Sequence, residues 1–175
     1  NKKKTLAVRF PKHRMVKNLL NSLDYPIAAP SANISTGLSS VNAKDVKDEF
    51  GKKISYVLDG GRSNIGLEST IISLSNSPKI LRLGGLEVSK IEKVLKKKII
   101  ININPSKKIA PGQSNLHYSP GMPVRLKINI PKKDEAYLLI KKRKKYSAHY
   151  YYLTKNKNLK EAAKNLYSCL RKIKN

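Results

Sequence analysis

Pro30-Ser31-Ala32-Asn33-Ile34-Ser35 and its echo, Gly66-Leu67-Glu68-Ser69-Thr70, are the stretches around which this chain is organised. The first follows the short apolar run Pro26-Ile27-Ala28-Ala29, expected to be a buried strand, and the second opens the run Thr70-Ile71-Ile72-Ser73-Leu74. Both put small hydroxyl and amide side chains where a strand meets a loop. Such groups bind carboxylates and phosphates without bulk, and nearby backbone N–H groups supply further donors. Small Ala28 and Ala29 let a ligand or another backbone approach closely. A pocket is expected at these loops, with the remainder of the chain as scaffold or lid.

Outward from that point, the pattern alternates strands with helices. Thr5-Leu6-Ala7-Val8-Arg9-Phe10 predicts a strand ended by Pro11, which lacks a ladder donor. Arg9 then sits at the strand's C-terminal end, where open α/β sheets place ligand groups, although a surface arginine in so basic a chain reads equally simply. Val16, Leu19, Leu20 and Leu23 recur at helical spacing over residues 12–23, with His13 facing solvent at the start. Asn42 is placed as an N-cap for a helix from Ala43 to Phe50, with Gly51 at its C-terminal stop. Residues 54–58 predict a strand, and Asp59-Gly60-Gly61 a turn, in which Asp59 either fixes its own turn or binds a metal ion. Thr70–Leu74 and Lys79–Leu83 form a hairpin-like pair that brings Arg82 beside Gly84 and Gly85, where its guanidinium can reach a phosphate bidentately. A helix over Val88–Lys97 and a strand at Ile99–Ile101 follow.

Composition shifts at Pro105. From there to Pro123 four prolines and two glycines break all periodicity, yet the segment holds the two rings of Leu116-His117-Tyr118-Ser119-Pro120. An ordered loop of this kind is often a lid. A second α/β pattern follows: strands at Val124–Ile128, Ala136–Ile140 and Tyr150–Leu153, then a helix whose face of Leu159, Ala162, Ala163, Leu166, Cys169, Leu170 and Ile173 packs on a sheet. Cys169 is expected in the core rather than as a nucleophile. Tyr150–Tyr152 fit strand packing, or base stacking beside the basic run Lys141-Lys142-Arg143-Lys144-Lys145.

The 175 residues carry 37 Lys+Arg against 11 Asp+Glu, a formal charge of +26. That surplus suits a polyanion such as RNA, or an anionic substrate. The wealth of Lys, Ile and Asn also fits AT-rich coding drift, and most lysines, such as Lys2-Lys3-Lys4, Lys96-Lys97-Lys98 and Lys132-Lys133, lie in scattered short runs. An apolar content of 39% supports a real core and argues against global disorder. A single cysteine forbids an intrachain disulfide, which fits a reducing cytosol, and no apolar run approaches the ~20 residues of a membrane span. The chain begins with Asn and stops inside a helical pattern, which reads as a fragment.

No Walker loop, Gly-x-Gly-x-x-Gly fingerprint, His-Glu-x-x-His or zinc-spaced Cys/His cluster occurs. The remaining pocket of Ser, Asn, Thr and Arg donors suits anion binding and phosphoryl or nucleotidyl transfer by positioning rather than covalent catalysis.

Ala28-Ala29-Pro30-Ser31-Ala32-Asn33-x-Ser35, then Leu58-Asp59-Gly60-Gly61, then Gly66-Leu67-Glu68-Ser69-Thr70-Ile71, then Ile80-Leu81-Arg82-Leu83-Gly84, taken in this order, resemble the YrdC-like family of threonylcarbamoyl-AMP synthases. Pro111-Gly112 and His117-Tyr118-Ser119-Pro120 resemble the interdomain linker of its long, two-domain members, and Leu159–Ile173 the first helix of their C-terminal domain. The resemblance implies an α/β fold: part of a YrdC-like twisted open mixed sheet with helices over residues 1–104, a linker or lid over 105–123, and the start of a Rossmann-like α/β domain over 124–175. It also implies that the family's N-terminal part and most of its C-terminal domain lie outside this chain.

The implied activity joins L-threonine, bicarbonate and ATP, with Mg2+, into threonylcarbamoyl-AMP and pyrophosphate for tRNA threonylcarbamoyladenosine modification in the cytoplasm. Carried over by position, Arg9, the Ala29 backbone and Ser69 would hold threonine. Thr5, Ser31, Asn33, Ser39 and Arg82 would contact ATP, with His117 and Tyr118 closing over the nucleotide from the linker. No residue is assigned as catalytic or as a metal ligand. The family's Ser-Gly-x-x-Ser-Pro-Thr is replaced by Ser35-Thr36-Gly37-Leu38-Ser39-Ser40-Val41, which leaves the helix start to Asn42. Further partners would be tRNA or the downstream threonylcarbamoyl transferase, and no membrane. Two other readings compete: an RNA-binding YrdC-like module without synthase activity, and a relative of the carbamoyl-transfer module of hydrogenase-maturation proteins, against which the His117-Tyr118 linker argues.

Overall fold

The computed structural model describes residues 5–75, 77–103, 110–113, 117–143 and 147–174. Much of the predicted linker (105–109 and 114–116), Lys144 and Lys145 of the basic run, and Lys2-Lys3-Lys4 lie outside the described residues. Among the described residues, four α-helices, a 3-10 turn at Gly51–Lys53 and five short strands make a mixed α/β architecture. Helix α1 is Arg14–Asn21, α2 Ala43–Phe50, α3 Val88–Leu95 and α4 Leu159–Lys174. Strands β1 (Ile71–Ser73), β2 (Lys79–Arg82) and β3 (Ile100–Ile101) form one sheet in that order. Strands β4 (Tyr137–Lys141) and β5 (Tyr150–Thr154) form a second.

The first sheet follows from the sequence pattern. β1 and β2 pair antiparallel, as two runs joined by a short Ser-Pro turn should, with Ile72 opposite Ile80. β3 returns parallel to β2 after the α3 crossover, the connection a parallel pair requires. Ile80, with no solvent exposure, packs with Ile91 of α3 and Ile99, and Ile72, Val88 and Leu95 close around them. Helix α2 starts where expected: the Asn42 side chain accepts from the Asp45 N–H at 2.8 Å, and Gly51 follows its end at φ 52°.

Four expected strands are absent from the described residues. Residues 5–10, 26–29, 54–58 and 124–128 have no regular secondary structure. Leu6 and Phe10 are about nine-tenths exposed, as is Tyr56. Pro26–Ala29 is exposed rather than buried. Apolar alternation suits a side chain to a sheet, but a strand exists only through a ladder with a neighbour, and among the described residues nothing pairs with these runs. Arg9 therefore does not sit at a strand end. Asp59 closes an Asx turn, its Oδ1 accepting from Gly61 N–H at 2.9 Å.

Helix α4 joins the two parts. One side lies on β5, where Asn165 donates to the Leu153 carbonyl at 2.8 Å and Ala162 is buried. Leu159, expected on that face, is exposed. The other side reaches the first part of the chain. Tyr167 is buried with Leu38 and Val41, and Leu67, Tyr118 and Leu170 pack around them. Arg62 reaches across to the Lys164 carbonyl, Asn165 and Ser168. Arg171 donates to the Leu38 carbonyl at 2.6 Å and to Glu49 at 2.6 Å, with Asp45 3.9 Å away. Cys169 is half-buried on this helix, and burial pushes its thiol up, which suits a packing residue and not a thiolate nucleophile. Among the described residues, no helix is long and apolar enough to cross a membrane.

Gly66 makes this approach possible. Its φ of 73° favours glycine, and a Cβ there would lie 2.6 Å from the Lys164 carbonyl oxygen. Gly61 has a similar φ of 77° with nothing within 4 Å of a Cβ. Gly61→Ala should therefore cost only the left-handed backbone term, about 1–2 kcal/mol. Gly66→Ala should cost clearly more, because α4 must move as well. Thermal unfolding of the two variants side by side measures the difference.

Candidate functional site

The Ser31 loop is built to stay open. Asn33 is buried, and its amide donates to the Ile34 carbonyl at 2.9 Å and the Gly37 carbonyl at 3.1 Å, so the side chain ties the turn in place of a backbone ladder. The Ile34 N–H donates to Glu49 of α2 at 2.5 Å, and Ser40 Oγ to the Ala32 carbonyl at 2.8 Å. Thr36 turns the chain at φ 71°. The result is a cleft of about 410 Å³ lined by Pro30, Ser31, Asn33, Ser35, Thr36, Phe50 and His117.

The His117-Tyr118 segment is pinned to that loop by backbone. Gly37 and Ser119 form a parallel bridge, and the Ser119 N–H donates to the Thr36 carbonyl at 2.9 Å. Tyr118, at φ 58°, turns its ring between Arg82 and Tyr167. Arg82 donates from Nη1 to the Tyr118 hydroxyl at 3.1 Å and from Nε to the Ser69 carbonyl at 3.0 Å. Gly112 sits against both side chains: a Cβ there would lie 2.9 Å from the Tyr118 hydroxyl and 3.2 Å from Arg82 Cδ. The His117 ring stands edge-on to Tyr118 at 4.0 Å between centroids, and its buried Nδ1 has no hydrogen-bond partner among the described residues.

Glu68 lies between the two parts. Ser39 Oγ donates to Glu68 Oε1, and the Tyr167 hydroxyl donates to Oε2 at 2.8 Å. Gly84 makes the Glu68 backbone position possible, since a Cβ on it would lie 2.3 Å from the Glu68 carbonyl oxygen. The Gly85 N–H donates to that carbonyl at 2.8 Å. Thr70 Oγ1 donates to the Leu86 carbonyl at 2.8 Å, which fixes the other side of the same turn.

Most of the residues expected at the site therefore meet. Ser31, Asn33 and His117 line one cleft, and Ser69, Arg82 and Tyr118 form a hydrogen-bonded chain beside it. Ser39 joins through Glu68. Thr5, Arg9 and Ala29 are exposed and stand outside this network among the described residues. Phe50, Glu68, Tyr167 and Arg171 were not expected at the site. Glu68 and Phe50 sit within recognised stretches, where their pattern marks a strand start and a helix end. Tyr167 lies off the apolar face assigned to α4, and an aromatic out of phase with a helix's stripe was the available signal.

The groups present can hold an anion. Arg82 supplies a guanidinium, and the Ser31 loop supplies hydroxyl and backbone donors. No group of three His, Cys, Asp or Glu side chains among the described residues is arranged to hold a metal ion.

Two family models match the chain end to end. The Sua5/YciO/YrdC model, described as "Telomere recombination", matches residues 1–84, and "Threonylcarbamoyl-AMP synthase, C-terminal domain" matches 86–175. The first sheet runs through their meeting point, since β2 and β3 lie on either side of it. A threonylcarbamoyl-AMP synthase of Pyrococcus abyssi is 42% identical over 128 residues, covering 69% of this chain and 37% of its own length. That of Schizosaccharomyces pombe is 38% identical over 144 residues, covering 75% and 35%. The crystal structure of P. abyssi Sua5 complexed with L-threonine superposes with a TM-score of 0.76 at 30% identity, covering 95% of this chain and 54% of that one. The chain thus spans about a third of the length of the curated relatives and about half of that structure.

Burial raises both ring hydroxyls. It pushes Tyr167 well up, helped by its hydrogen bond to Glu68, and raises Tyr118, with the Glu68 charge adding to the effect and Arg82 opposing it. A folded-state pKa above the ordinary ~10 means that the folded state holds these protons more tightly. The associated stability is full below about pH 10 and is lost as pH rises beyond it. Chemical denaturation between about pH 8 and about pH 11 should show this fall. The fall should be shallower in Tyr167→Phe.

Proposed function

The chain belongs to the threonylcarbamoyl-AMP synthase family, and we propose that it provides part of an enzyme that makes threonylcarbamoyl-AMP and pyrophosphate from L-threonine, bicarbonate and ATP. The observation that carries this reading is the Ser69–Arg82–Tyr118 chain of hydrogen bonds beside the Ser31 cleft. Small donors and the His117 ring line the cleft, and the Arg82 guanidinium stands beside it on the Tyr118 hydroxyl, which suits a nucleotide held by its phosphates and covered from above. The solved relative carrying L-threonine supports an amino acid as co-substrate.

In this reading the threonine amine and bicarbonate condense to a carbamate with loss of water. A carbamate oxygen then attacks the α-phosphorus of ATP, the α–β phosphoanhydride bond breaks, and pyrophosphate leaves. Two anions must be held together, so catalysis is the screening of their repulsion by fixed donors. Ser31, Asn33, Ser39 and Arg82 hold the ATP side, joined by Thr5 from the segment before α1. Arg9, the Ala29 backbone and Ser69 hold the threonine carboxylate. His117 and Tyr118 cover the nucleotide, with the His117 ring at the cleft wall. Mg2+ carried by ATP would supply charge neutralisation on the phosphates.

The finer architecture and cellular role belong to the same proposal. Residues 1–104 are the YrdC-like part, 105–123 the lid segment and 124–175 the start of a Rossmann-like domain, in a cytoplasmic protein whose product goes to the transferase that modifies tRNA.

Incubating the intact protein with ATP, threonine, bicarbonate and Mg2+ should yield threonylcarbamoyl-AMP by mass spectrometry. Arg82→Ala should lower the rate by about 10²–10³-fold, the usual cost of removing a preorganised charge-stabilising donor. Arg9→Ala should mainly raise the threonine concentration required. A folded protein that binds ATP yet forms no such product would overturn the reading.

A further inference from the structure

We infer that Tyr167 of α4 is a positioning residue for the nucleotide site, acting through Glu68 on the Ser39 hydroxyl; the inference rests on the proposed ATP role of Ser39. The two oxygens of one carboxylate are divided between the two parts of the chain. Oε1 accepts from Ser39, and Oε2 accepts from Tyr167, 99 residues away in sequence. A carboxylate has only acceptor sites, so each hydroxyl must turn its proton toward it. Ser39 Oγ consequently presents lone pairs, not its hydrogen, to any other partner. The group of the nucleotide that meets it must be a donor, such as a hydroxyl or an amino group, or a cation.

Tyr167 is suited to fix this arrangement. It is 6% exposed, it packs on Leu38 and Val41 on either side of Ser39 in the same loop, and its ring lies 6.1 Å from that of Tyr118. Arg171, one turn further along α4, holds the Leu38 carbonyl and Ser40 Oγ. Helix α4 therefore grips the loop at the residues flanking Ser39 and sets the serine itself through Glu68. Gly84, pressed against the Glu68 backbone, and the Gly85 N–H on its carbonyl fix the backbone from which the carboxylate reaches both hydroxyls.

The test is a double-mutant cycle in the intact protein. Tyr167→Phe keeps the ring and removes only the hydroxyl. It should raise the KM for ATP by about 3–30-fold while leaving the KM for threonine within about 2-fold. In a Ser39→Ala background the same change should alter the KM for ATP by less than about 2-fold, because the two residues act as one unit. An equal effect in both backgrounds, or parallel rises in both KM values, would overturn the relay. If the wild-type protein binds ATP without forming threonylcarbamoyl-AMP, the functional reading fails, and the same cycle read by ATP titration still decides the relay. If it binds no ATP, amide hydrogen exchange of residues 37–41 decides. Faster exchange in Tyr167→Phe, with no added effect on Ser39→Ala, supports the relay, and unchanged exchange overturns it.

Discussion

A carboxylate half-buried between two parts of a chain of charge +26 is the constraint on which the site depends. Glu68 is one of 11 acidic residues, and its backbone is set by Gly84 and Gly85 before its side chain meets anything. Removing a carboxylate from water is costly unless its oxygens are matched by donors. Here the matches come from Ser39 and Tyr167, so the acid is satisfied only when the Ser39 loop and α4 are both in place. Arg82, bonded to the Tyr118 hydroxyl, and the rings of Tyr118 and Tyr167 stand beside the cleft.

Other groups divide the same task differently. The segment at 117–121 is held to the Thr36 turn by backbone, through the Gly37–Ser119 bridge, which is insensitive to side-chain chemistry. Helix α4 is held by side chains, above all Arg171 between Glu49 and the Leu38 carbonyl and Arg62 against the helix backbone. The first attachment sets where His117 and Tyr118 stand. The second sets the height of the loop beneath them.

The sequence was most legible where structure is local. The Asn42 cap, the Asp59 turn, the 71–82 hairpin and the periodicity of α3 and α4 are written in neighbouring residues, and each formed. The expected strands at 5–10, 26–29, 54–58 and 124–128 had suitable residues, but a strand's existence is decided by a partner backbone that no local pattern names. The same limit applied at the site. Ser31, Asn33, Ser69, Arg82 and Tyr118, named from motifs, stand near one another in the structure. Tyr167 and Arg171 act through contacts 99 and 133 residues away, and although Tyr167 stands off the apolar stripe of its helix, nothing local names the partner of either. Arg9, legible as a motif position, lies on exposed backbone.

The distance along the chain between α4 and the loop it grips also has a temporal meaning. Arg171 holds a carbonyl 133 positions earlier. At ribosomal rates of about 5–20 residues per second, that separation is roughly 7–27 s of synthesis. Throughout that interval the Ser39 loop exists without its clamp, and Leu38 and Val41 lack the ring that covers them. Non-local contacts of this reach are also slow to close. The nascent chain must therefore carry an uncovered apolar loop until α4 emerges, which makes this loop a natural place for a folding helper to bind before the protein can bind anything of its own.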